Sequence, residues 1–247
     1  MSFDELIDRT GTKSARWRGR GDTLALTVGD SDFRLPPPVR DALIKRLDEG
    51  VVGYDGVPDS LRELIIDRML RLYDWQIKDE WLVFLSGVVP GFNFCCRGLT
   101  SPGDAIISET PIYYPFLSAP PNADRALSPL PALLQSGRWS MDLDGLAKLA
   151  AEPRNKLLLF CNPQNPLGRV STRDELLAMA DICVREQVPI VSDEIHCDLL
   201  YDGNRHIPIA SLAPEIADIT VTLMSATKAF GISGIGGAFA VIPNPVL

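Results

Sequence analysis

Two patterns of hydrophobic and polar positions divide this 247-residue chain. Residues 1–35 are polar and irregular, which predicts an extended arm. A helix is then predicted from Val39 to about Glu49, opened by three prolines at 36–38, because proline is tolerated in a first helical turn. Apolar residues at helical spacing predict a second helix from Asp59 to Tyr73.

From Trp81 onward, short and uninterrupted apolar runs alternate with helical stretches. Helices are predicted from Val89 to about Leu99 and from Thr172 to about Glu186. The apolar runs predict strands at 81–85, 105–107, 157–160, 189–192, 219–224 and 238–242. Strands that are apolar throughout and alternate with helices indicate an α/β fold, a mainly parallel sheet with helices on both faces. Ligands of such sheets bind at the carboxyl ends of the strands.

Composition narrows the class of protein. The chain is 46% hydrophobic and 23% charged, which is ordinary for a globular protein with a proper core. Its net charge of −8 argues against nucleic acid and against an anionic membrane as partners, since both attract clustered Lys and Arg.

The cysteines and the chain start favour a cytoplasmic protein. Five cysteines form no Cys-x-x-Cys pair and no Cys/His spacing typical of zinc, so we expect reduced and mostly buried thiols. No apolar run approaches membrane-spanning length, and the acidic N-terminus lacks the apolar core of a signal peptide.

The first two strand ends offer an anion site and an aromatic face. Ser86-Gly87-Val88-Val89-Pro90-Gly91 turns into a helix, whose free N–H groups suit a phosphate. No phosphate-binding GxxxxGK[ST] loop exists, and no GxGxxG follows the first strand, so a nicotinamide site is not predicted. Tyr113 and Tyr114 lie between Pro111 and Pro115, either as core or turn residues or as rings that stack on a flat ligand.

The next two strand ends carry polar side chains. Asn162 and Asn165 each precede a proline, so they mark a plain turn or present side-chain amides to a ligand. Asp193 follows a buried strand, where a carboxylate needs a cation. A metal shared with His196 is one partner, but the only other histidine, His206, lies in an apparent loop. A protonated ring nitrogen is the better partner for Asp193.

Lys228 completes this set. It lies in Ser225-Ala226-Thr227-Lys228-Ala229-Phe230, directly after the strand at 219–224. Most lysines are solvated surface charges, but an amine withdrawn from water becomes a nucleophile that forms Schiff bases. A phosphate cradle, a stacking ring, an amide donor, a carboxylate for a ring nitrogen and an imine-forming lysine together match the needs of pyridoxal 5′-phosphate.

These residues resemble the class I/II aminotransferase superfamily, which has the type I fold of pyridoxal-phosphate enzymes. Within it the chain resembles the MalY/PatB group of cystathionine β-lyase-like C–S lyases. The similarity implies a large domain with a seven-stranded sheet and a small domain that is largely missing. The matching stretches run in order along the chain: 3–9, 53–54, 86–90, 110–116, 162–168, 192–196 and 225–230.

The resemblance also implies a role for each matching residue. Lys228 forms the Schiff base with the cofactor and shuttles protons at the substrate Cα, and Asp193 pairs with the pyridinium nitrogen. Tyr113 stacks on the ring, and Asn165 hydrogen-bonds its phenolic oxygen. The remaining cofactor-binding positions are Val88, Val89 and Ser225 around the phosphate, Tyr54 from the neighbouring subunit of a homodimer, and His196 of the Asp-Glu-Ile-His motif.

The implied reaction is the α,β-elimination of cystathionine or a related cysteine S-conjugate to a thiol, pyruvate and ammonia. An aminotransferase on the same cofactor is an alternative that the residues alone do not distinguish. Family members continue beyond Leu247, and that part carries the arginine that binds the substrate carboxylate; no arginine follows Arg205 here. A truncated, catalytically silent domain with a binding or regulatory role is therefore a further alternative. The expected domains are an N-terminal arm with part of the small domain at 1–48 and an incomplete cofactor-binding domain at 49–247.

Overall fold

The computed structural model describes residues 3–247, which form two compact units. One unit, the arm unit, combines the described part of Met1–Gly56 with Ala226–Gly236. The other, the sheet unit, combines Val57–Ser225 with Gly237–Leu247. The chain thus leaves the sheet unit after Ser225 and returns to it at Gly237.

The arm unit is mostly irregular. Residues 3–35 contain turns and bends but no helix or strand, in agreement with the irregular structure predicted for this segment. Helix α1 (Pro37–Asp48) follows, with Pro36 as its N-cap and no buried residue. Polar contacts hold the arm, as when Arg34 pairs with Glu5 at 2.6 Å. The arm unit therefore has little apolar core of its own.

The sheet unit carries the remaining elements. In chain order these are α2 (Asp59–Tyr73), β1 (Leu82–Leu85), α3 (Val88–Gly98), β2 (Ala105–Thr110), α4 (Tyr114–Asn122), β3 (Ala126–Pro131), β4 (Leu133–Gln135), β5 (Arg138–Ser140), α5 (Leu143–Ala150), β6 (Asn155–Cys161), α6 (Arg173–Glu186), β7 (Ile190–Asp193), α7 (Pro214–Asp218), β8 (Thr220–Met224) and β9 (Ala238–Val241). Two short 3-10 turns, Asp79–Trp81 and Ile209–Ser211, precede β1 and α7.

Seven of the strands form one sheet in the order β1-β9-β8-β7-β6-β2-β3. Strand β9 runs antiparallel to both of its neighbours, β1 and β8. The remaining neighbours in the sheet, from β8 through β7, β6 and β2 to β3, pair in parallel. The carboxyl ends of six strands therefore lie at one edge, together with the amino end of β9. Strands β4 and β5 form a separate hairpin.

Apolar layers cover both faces of the sheet. On one face α3 and α4 pack through Val88, Phe92, Cys96 and Phe116 against strand residues such as Leu159. On the other face α5, α6 and α7 pack through a second cluster that includes Leu146, Leu176, Met179, Ile216 and the strand residues Leu158 and Ile190. A third cluster places α2 against β1, the end of β8 and β9.

The sequence predicts this architecture well but not completely. The mainly parallel sheet with helices on both faces is confirmed, and both long predicted helices of the N-terminal third are present. Strand β2 extends three residues beyond the apolar run, through buried Ser108 and Glu109 to Thr110. Helix α4 and strand β3 are additional, and both contain prolines, which weaken the sequence signal for regular structure. Within 3–247, no helix has both the length and the apolar character needed to cross a membrane.

Candidate active site

A row of polar groups follows the strand ends along the carboxyl edge of the sheet. In sheet order the row begins at Ser86 after β1 and Gly237 before β9. It continues through Ser225 after β8 and Asp193 at the end of β7. Strand β6 then leads into 162–165 and β2 into Tyr113. The edge that α/β sheets use for ligands is therefore the one that carries the predicted chemistry.

The N-terminus of α3 presents two backbone amides that the helix cannot pair itself. Its N-cap is Gly87, and no side chain caps this end. Gly91 already donates its N–H to the Gly87 carbonyl at 3.1 Å, and Pro90 has no N–H. The N–H groups of Val88 and Val89 thus remain for an anion, which the positive end of the helix dipole also favours.

Close packing sets the position of this helix end. A Cβ built on Gly91 would lie 2.9 Å from a Leu85 methyl and 3.2 Å from a Leu223 methyl. Only a glycine lets α3 approach the ends of β1 and β8 this closely without moving those leucines. The two free amides are therefore held against the strand ends.

Hydrogen bonds join the three strand ends on this side of the row. The Gly237 N–H donates to the Ser86 carbonyl at 2.9 Å. The Ser225 hydroxyl donates to the Gly237 carbonyl at 2.7 Å, and Ser225 is buried. Glycine at 237 has a φ of 96°, a conformation that L side chains rarely adopt. The predicted phosphate residue Ser225 thus lies in a rigid part of the edge.

Asp193 is a buried carboxylate at the end of a buried strand, with 5% of the residue exposed. One carboxylate oxygen accepts a hydrogen bond from the Ile195 N–H at 3.0 Å. Its backbone carbonyl accepts from the Asn162 N–H at 3.0 Å, which ties β7 to the turn after β6. These contacts orient the carboxylate at the end of β7.

Tyr113 is bonded to the turn after β6 and lies within electrostatic range of this carboxylate. Its backbone N–H donates to the Asn165 carbonyl at 3.0 Å, so the loops after β2 and β6 are joined. Burial raises the pKa of the Tyr113 phenol, and the neighbouring Tyr114 phenol and Asp193 charge raise it further. The ring still has 36% of its residue surface exposed, and Tyr114 meets it edge-on at 4.9 Å between centroids. Tyr113, Asn165 and Asp193 therefore form one group.

The side chains around this group reinforce its loops. The Gln164 side-chain amide donates to the Pro111 carbonyl at 2.9 Å, a second link between the loops after β2 and β6. The Cys161 thiol donates to the Pro163 carbonyl at 3.3 Å. Burial raises the pKa of Cys161 well above its usual value, and the Asp193 charge adds to this, so the thiol stays protonated.

A buried pair of ionisable side chains lies behind Asp193. His206 Nε2 and Glu194 Oε2 are 2.6 Å apart, and both side chains are almost wholly inaccessible. The other oxygen of Glu194 accepts from the Ser192 hydroxyl at 2.9 Å and from the Ile209 N–H at 3.2 Å. Sequence reasoning did not identify this pair. The available signal was a second acidic residue directly after Asp193 and the second of only two histidines.

Lys228 belongs to the arm unit. Its amine donates to the Gly29 carbonyl at 3.0 Å. A Cβ built on Gly29 would lie 3.3 Å from Lys228 Nζ, so a side chain at this position would crowd the amine. Three residues on, Gly231 has a φ of 65° and packs against Ser31, whose Cβ would be 2.5 Å from an added Cβ. The lysine segment and the arm segment around Gly29 are therefore fitted to each other.

The predicted site residues divide between the two units. The sheet unit carries Val88, Val89, Tyr113, Asn165, Asp193, His196 and Ser225. Backbone hydrogen bonds join Tyr113 to Asn165, and Asp193 to Asn162 of the same turn. His196 is partly buried just after the end of β7. The arm unit carries Lys228 and Tyr54, which is fully exposed. The individual roles of these residues stay predictions. Across 3–247, no group of three or more His, Cys, Asp or Glu side chains is arranged to hold a metal ion.

Comparison with known proteins assigns the chain to a family. The family model described as aminotransferase class I and II matches residues 21–247. The chain therefore belongs to the class I and II aminotransferase family, which confirms the superfamily resemblance.

Individual relatives support a narrower similarity. The chain is 34% identical to the cystathionine beta-lyase PatB of Bacillus subtilis, over 99% of this chain and 65% of PatB. Among solved structures it is similar to OvoB, with 43% identity, a TM-score of 0.93 and coverage of 99% of this chain and 65% of OvoB. It is also similar to cystalysin of Treponema denticola, whose structure contains pyridoxal 5′-phosphate, with 35% identity, a TM-score of 0.94 and coverage of 99% and 64%. The chain thus spans about two thirds of the length of these relatives.

Proposed function

We propose that this protein is a pyridoxal-phosphate-dependent C–S lyase that cleaves cystathionine or a related cysteine S-conjugate to a thiol, pyruvate and ammonia. The observation that carries the proposal is the buried Asp193 carboxylate beside the half-exposed Tyr113 ring, on the same sheet edge as the uncapped α3 N-terminus. A flat, cationic heteroaromatic ring with a phosphate group has the three features that this arrangement accepts.

The residues present fit that cofactor. Asp193 would hold a protonated ring nitrogen, because a positive charge is a favourable partner for a buried carboxylate. Tyr113 stacks on the ring face, and the Asn165 side-chain amide donates to a ring oxygen. The Val88 and Val89 amides would bind the phosphate. The Ser225 hydroxyl would join them by turning its single O–H away from the Gly237 carbonyl. When bound, pyridoxal phosphate supplies an aldehyde for an amine and a ring that accepts the electrons of a bond broken at the substrate Cα.

Lys228 is the proposed catalytic residue. Its amine would hold the cofactor at the aldehyde and would serve as the general base for the proton on the substrate Cα. The sequence places it four residues after the last residue of β8, on the segment that passes from the sheet unit into the arm unit.

Elimination is preferred to amino transfer because of the relatives. PatB is named a cystathionine beta-lyase, and a solved structure from Staphylococcus hominis with 32% identity is named a C–S lyase. The substrate preference is a proposal for the whole protein, since this chain spans only part of those relatives.

We extend the proposal to the assembly and location of the protein. The fully exposed Tyr54 supports a homodimer in which this phenol reaches the phosphate of the neighbouring subunit. Five free cysteines, four of them buried, support a cytoplasmic location, where thiols stay reduced. The proposed domains are an arm with part of a small domain at 1–48 and a cofactor-binding domain at 49–247.

The first experiment tests the cofactor. Purified protein is mixed with pyridoxal phosphate, reduced with borohydride and digested, and the labelled peptide is identified by mass spectrometry. We expect the label on Lys228 and no label in Lys228→Ala, whereas Lys45→Ala, a change on the exposed surface of α1, behaves like the parent. Label spread over several surface lysines, with the same yield in Lys228→Ala, rejects the cofactor site.

The second experiment tests the reaction. Loaded protein is incubated with cystathionine, and pyruvate, ammonia and free thiol are measured together. Equal amounts of the three support the lyase. Transfer of the amino group to an added keto acid without ammonia identifies an aminotransferase instead. Cofactor on Lys228 with neither product identifies a silent domain with a binding role.

A further inference from the structure

The contact between Lys228 and the arm involves a short turn at 28–32, which we call the Gly29 turn. The Gly29 carbonyl accepts the hydrogen bond from the Lys228 amine at 3.0 Å. Ser31 packs against Gly231, three residues beyond the lysine. The turn thus contacts the lysine segment at two places, and both contacts lie within the arm unit.

Two arginines of the arm hold this turn, and Arg9 is the first. Its guanidinium donates to the Ser31 carbonyl at 2.7 Å and to the Asp30 carboxylate at 2.7 Å. A weaker ion pair reaches Asp32 at 3.8 Å. With only 23% of its side chain exposed, Arg9 holds both the backbone and a side chain of the turn.

Arg16 holds the turn from a second position. Its guanidinium donates to the Asp30 carbonyl at 3.0 Å and pairs with the Asp32 carboxylate at 3.0 Å. A third bond, at 2.8 Å, reaches the carbonyl of Ala25, which is buried. The planar fork of an arginine can satisfy several acceptors at fixed angles, which a lysine cannot.

The backbone of the turn is held in an unfavourable conformation. Val28 has a φ of 66°, in the left-handed region that β-branched residues rarely adopt. Such a conformation persists only where the surroundings impose it, and it is concentrated at functional sites. Here the imposed contacts are those of the two arginines, and the group that the turn contacts is the lysine amine.

We propose that Arg9 and Arg16 are positioning residues for Lys228, which fix the Gly29 carbonyl as the resting acceptor of its free amine. This inference rests on the proposed function, because it assigns a purpose to an amine that alternates between a bonded and a free state. A lysine that must return a proton to one atom gains from a fixed acceptor, since an unheld side chain samples many rotamers. Two guanidinium groups, through five ion-pair and carbonyl contacts to the Gly29 turn, thus position one amine.

The test measures the reactivity of the Lys228 amine in cofactor-free protein. Acetic anhydride is added in small amounts, and acetylation of each lysine is followed by peptide mass spectrometry. Exposed Lys45 and Lys156 serve as references within the same chain. The variants are Arg9→Gln, Arg16→Gln, the double variant and the milder Arg16→Lys. Arg18→Gln is the matched control, because Arg18 is an exposed arginine of the same arm that takes no part in these contacts.

In the parent, the hydrogen bond to Gly29 holds the Lys228 amine and limits its reaction with acetic anhydride. We therefore expect Lys228 to be acetylated slowly relative to the reference lysines. We expect the ratio to rise roughly threefold to tenfold in the double variant, the range that the loss of one net hydrogen bond predicts. Arg16→Lys keeps the charge but not the fork, so it gives an intermediate rise. Arg18→Gln leaves the ratio at the parent value.

Each other outcome counts against the inference. An unchanged Lys228 ratio in the double variant overturns it. A rise that is shared by Lys45 and Lys156 shows general unfolding and also overturns it. Borohydride labelling by pyridoxal phosphate is run on the same samples: label on Lys228 with an unchanged acetylation ratio rejects only the positioning role, whereas absence of Lys228 label in the parent rejects the proposed function.

Discussion

The two units of this protein are stabilised by different interactions. The sheet unit buries aromatic and branched side chains on both faces of a seven-stranded sheet. The arm unit has only Ala25 as a buried apolar residue and is held by arginines that bond carbonyls and carboxylates. Apolar burial is non-directional, whereas hydrogen bonds from a guanidinium fix atoms at defined angles. Apolar burial thus packs the sheet unit, whereas directed polar contacts hold the arm turn that accepts the Lys228 hydrogen bond.

The largest effect on stability is expected at the buried Glu194–His206 pair, where the sheet unit also depends on a polar contact. His206→Ala removes the hydrogen-bond partner of the buried Glu194 carboxyl and leaves a cavity under β7. We expect a loss of about 3–5 kcal/mol in the free energy of unfolding, because one member of a buried pair is left without its partner. Urea denaturation followed by circular dichroism measures this loss.

Arg205→Ala is the control for that measurement, since the neighbouring Arg205 is exposed. It should change the free energy of unfolding by less than about 0.5 kcal/mol. If His206→Ala also costs less than about 1 kcal/mol, then the pair contributes little, and the apolar layers alone account for the stability of the sheet unit.

The second prediction addresses those apolar layers. Leu158 lies in the middle of β6 and is fully buried. Leu158→Ala should destabilise the protein by about 3 kcal/mol, the sum of lost transfer energy and a residual cavity. Leu134→Ala, a change at an exposed leucine of the β4–β5 hairpin, is the matched control and should have little effect. Equal costs for the two leucines would contradict the assignment of the core.

The third prediction concerns the N-terminal cap of α6 in the sheet unit, whose contribution to stability depends on pH. Glu175 closes a capping box with Thr172 at the start of α6 and pairs with Arg169. Burial alone raises its pKa, but the Thr172 N–H bond and the charges of Arg169 and Arg138 outweigh it, so the pKa is lowered on balance. A lowered folded-state pKa means stability that is present above the unfolded value of about 4.3 and is lost as pH falls through the folded value.

Glu175→Gln should therefore cost about 1 kcal/mol at pH 7 and almost nothing near pH 3, since glutamine keeps the shape but not the charge. The difference in unfolding free energy from the parent is measured by urea denaturation at both pH values. Asp181→Asn, which removes an exposed charge from the same helix, is the control and should show no such trend. A difference of equal size at both pH values would exclude the charge as its cause.

The sequence predicted the sheet unit far better than the arm unit. Apolar runs and helical spacing identify strands and helices because burial of one face is a local property of the sequence. The predicted strand was too short where polar residues are buried, at Ser108 and Glu109 of β2. Elements were missed where prolines interrupt the pattern, as in α4 and β3. Those residues are ordered by tertiary contacts that no local pattern records.

The candidate site shows the same limit. Asp193, Tyr113 and Asn165 could be proposed as candidates because each lies at or just after the end of a strand on one sheet edge. The contact of Lys228 with Gly29 joins residues 199 positions apart. No local sequence pattern in either segment predicts that the two segments meet. Glu194 and His206 likewise meet only through the fold. Contacts of this kind follow from the three-dimensional arrangement and not from residue type.

The smallest expected effect is a salt dependence of the arm unit that the apolar sheet unit does not share. At an ionic strength of 1 M the Debye length falls to about 3 Å, so partly exposed ion pairs weaken while apolar contacts do not. The pairs of Arg9 and Arg16 with Asp30 and Asp32 should loosen. We expect trypsin to cut after the exposed Arg18 or Arg20 roughly two to five times faster at 1 M than at 0.1 M salt, since each such pair contributes about 0.2–1 kcal/mol.

The Arg9→Gln/Arg16→Gln variant isolates the cause of that change. Without the two guanidinium groups the arm is already loose at low salt, so cleavage should be fast and nearly independent of salt. Rates are divided by the rate for an unstructured reference peptide, which removes the effect of salt on trypsin itself. Cleavage of an open segment tracks the population of the open form, so the ratio of parent to variant reports the stability of the arm alone. If parent and variant respond equally to salt, then the arginines do not hold the arm, and the contrast between a polar arm and an apolar sheet fails at its central point.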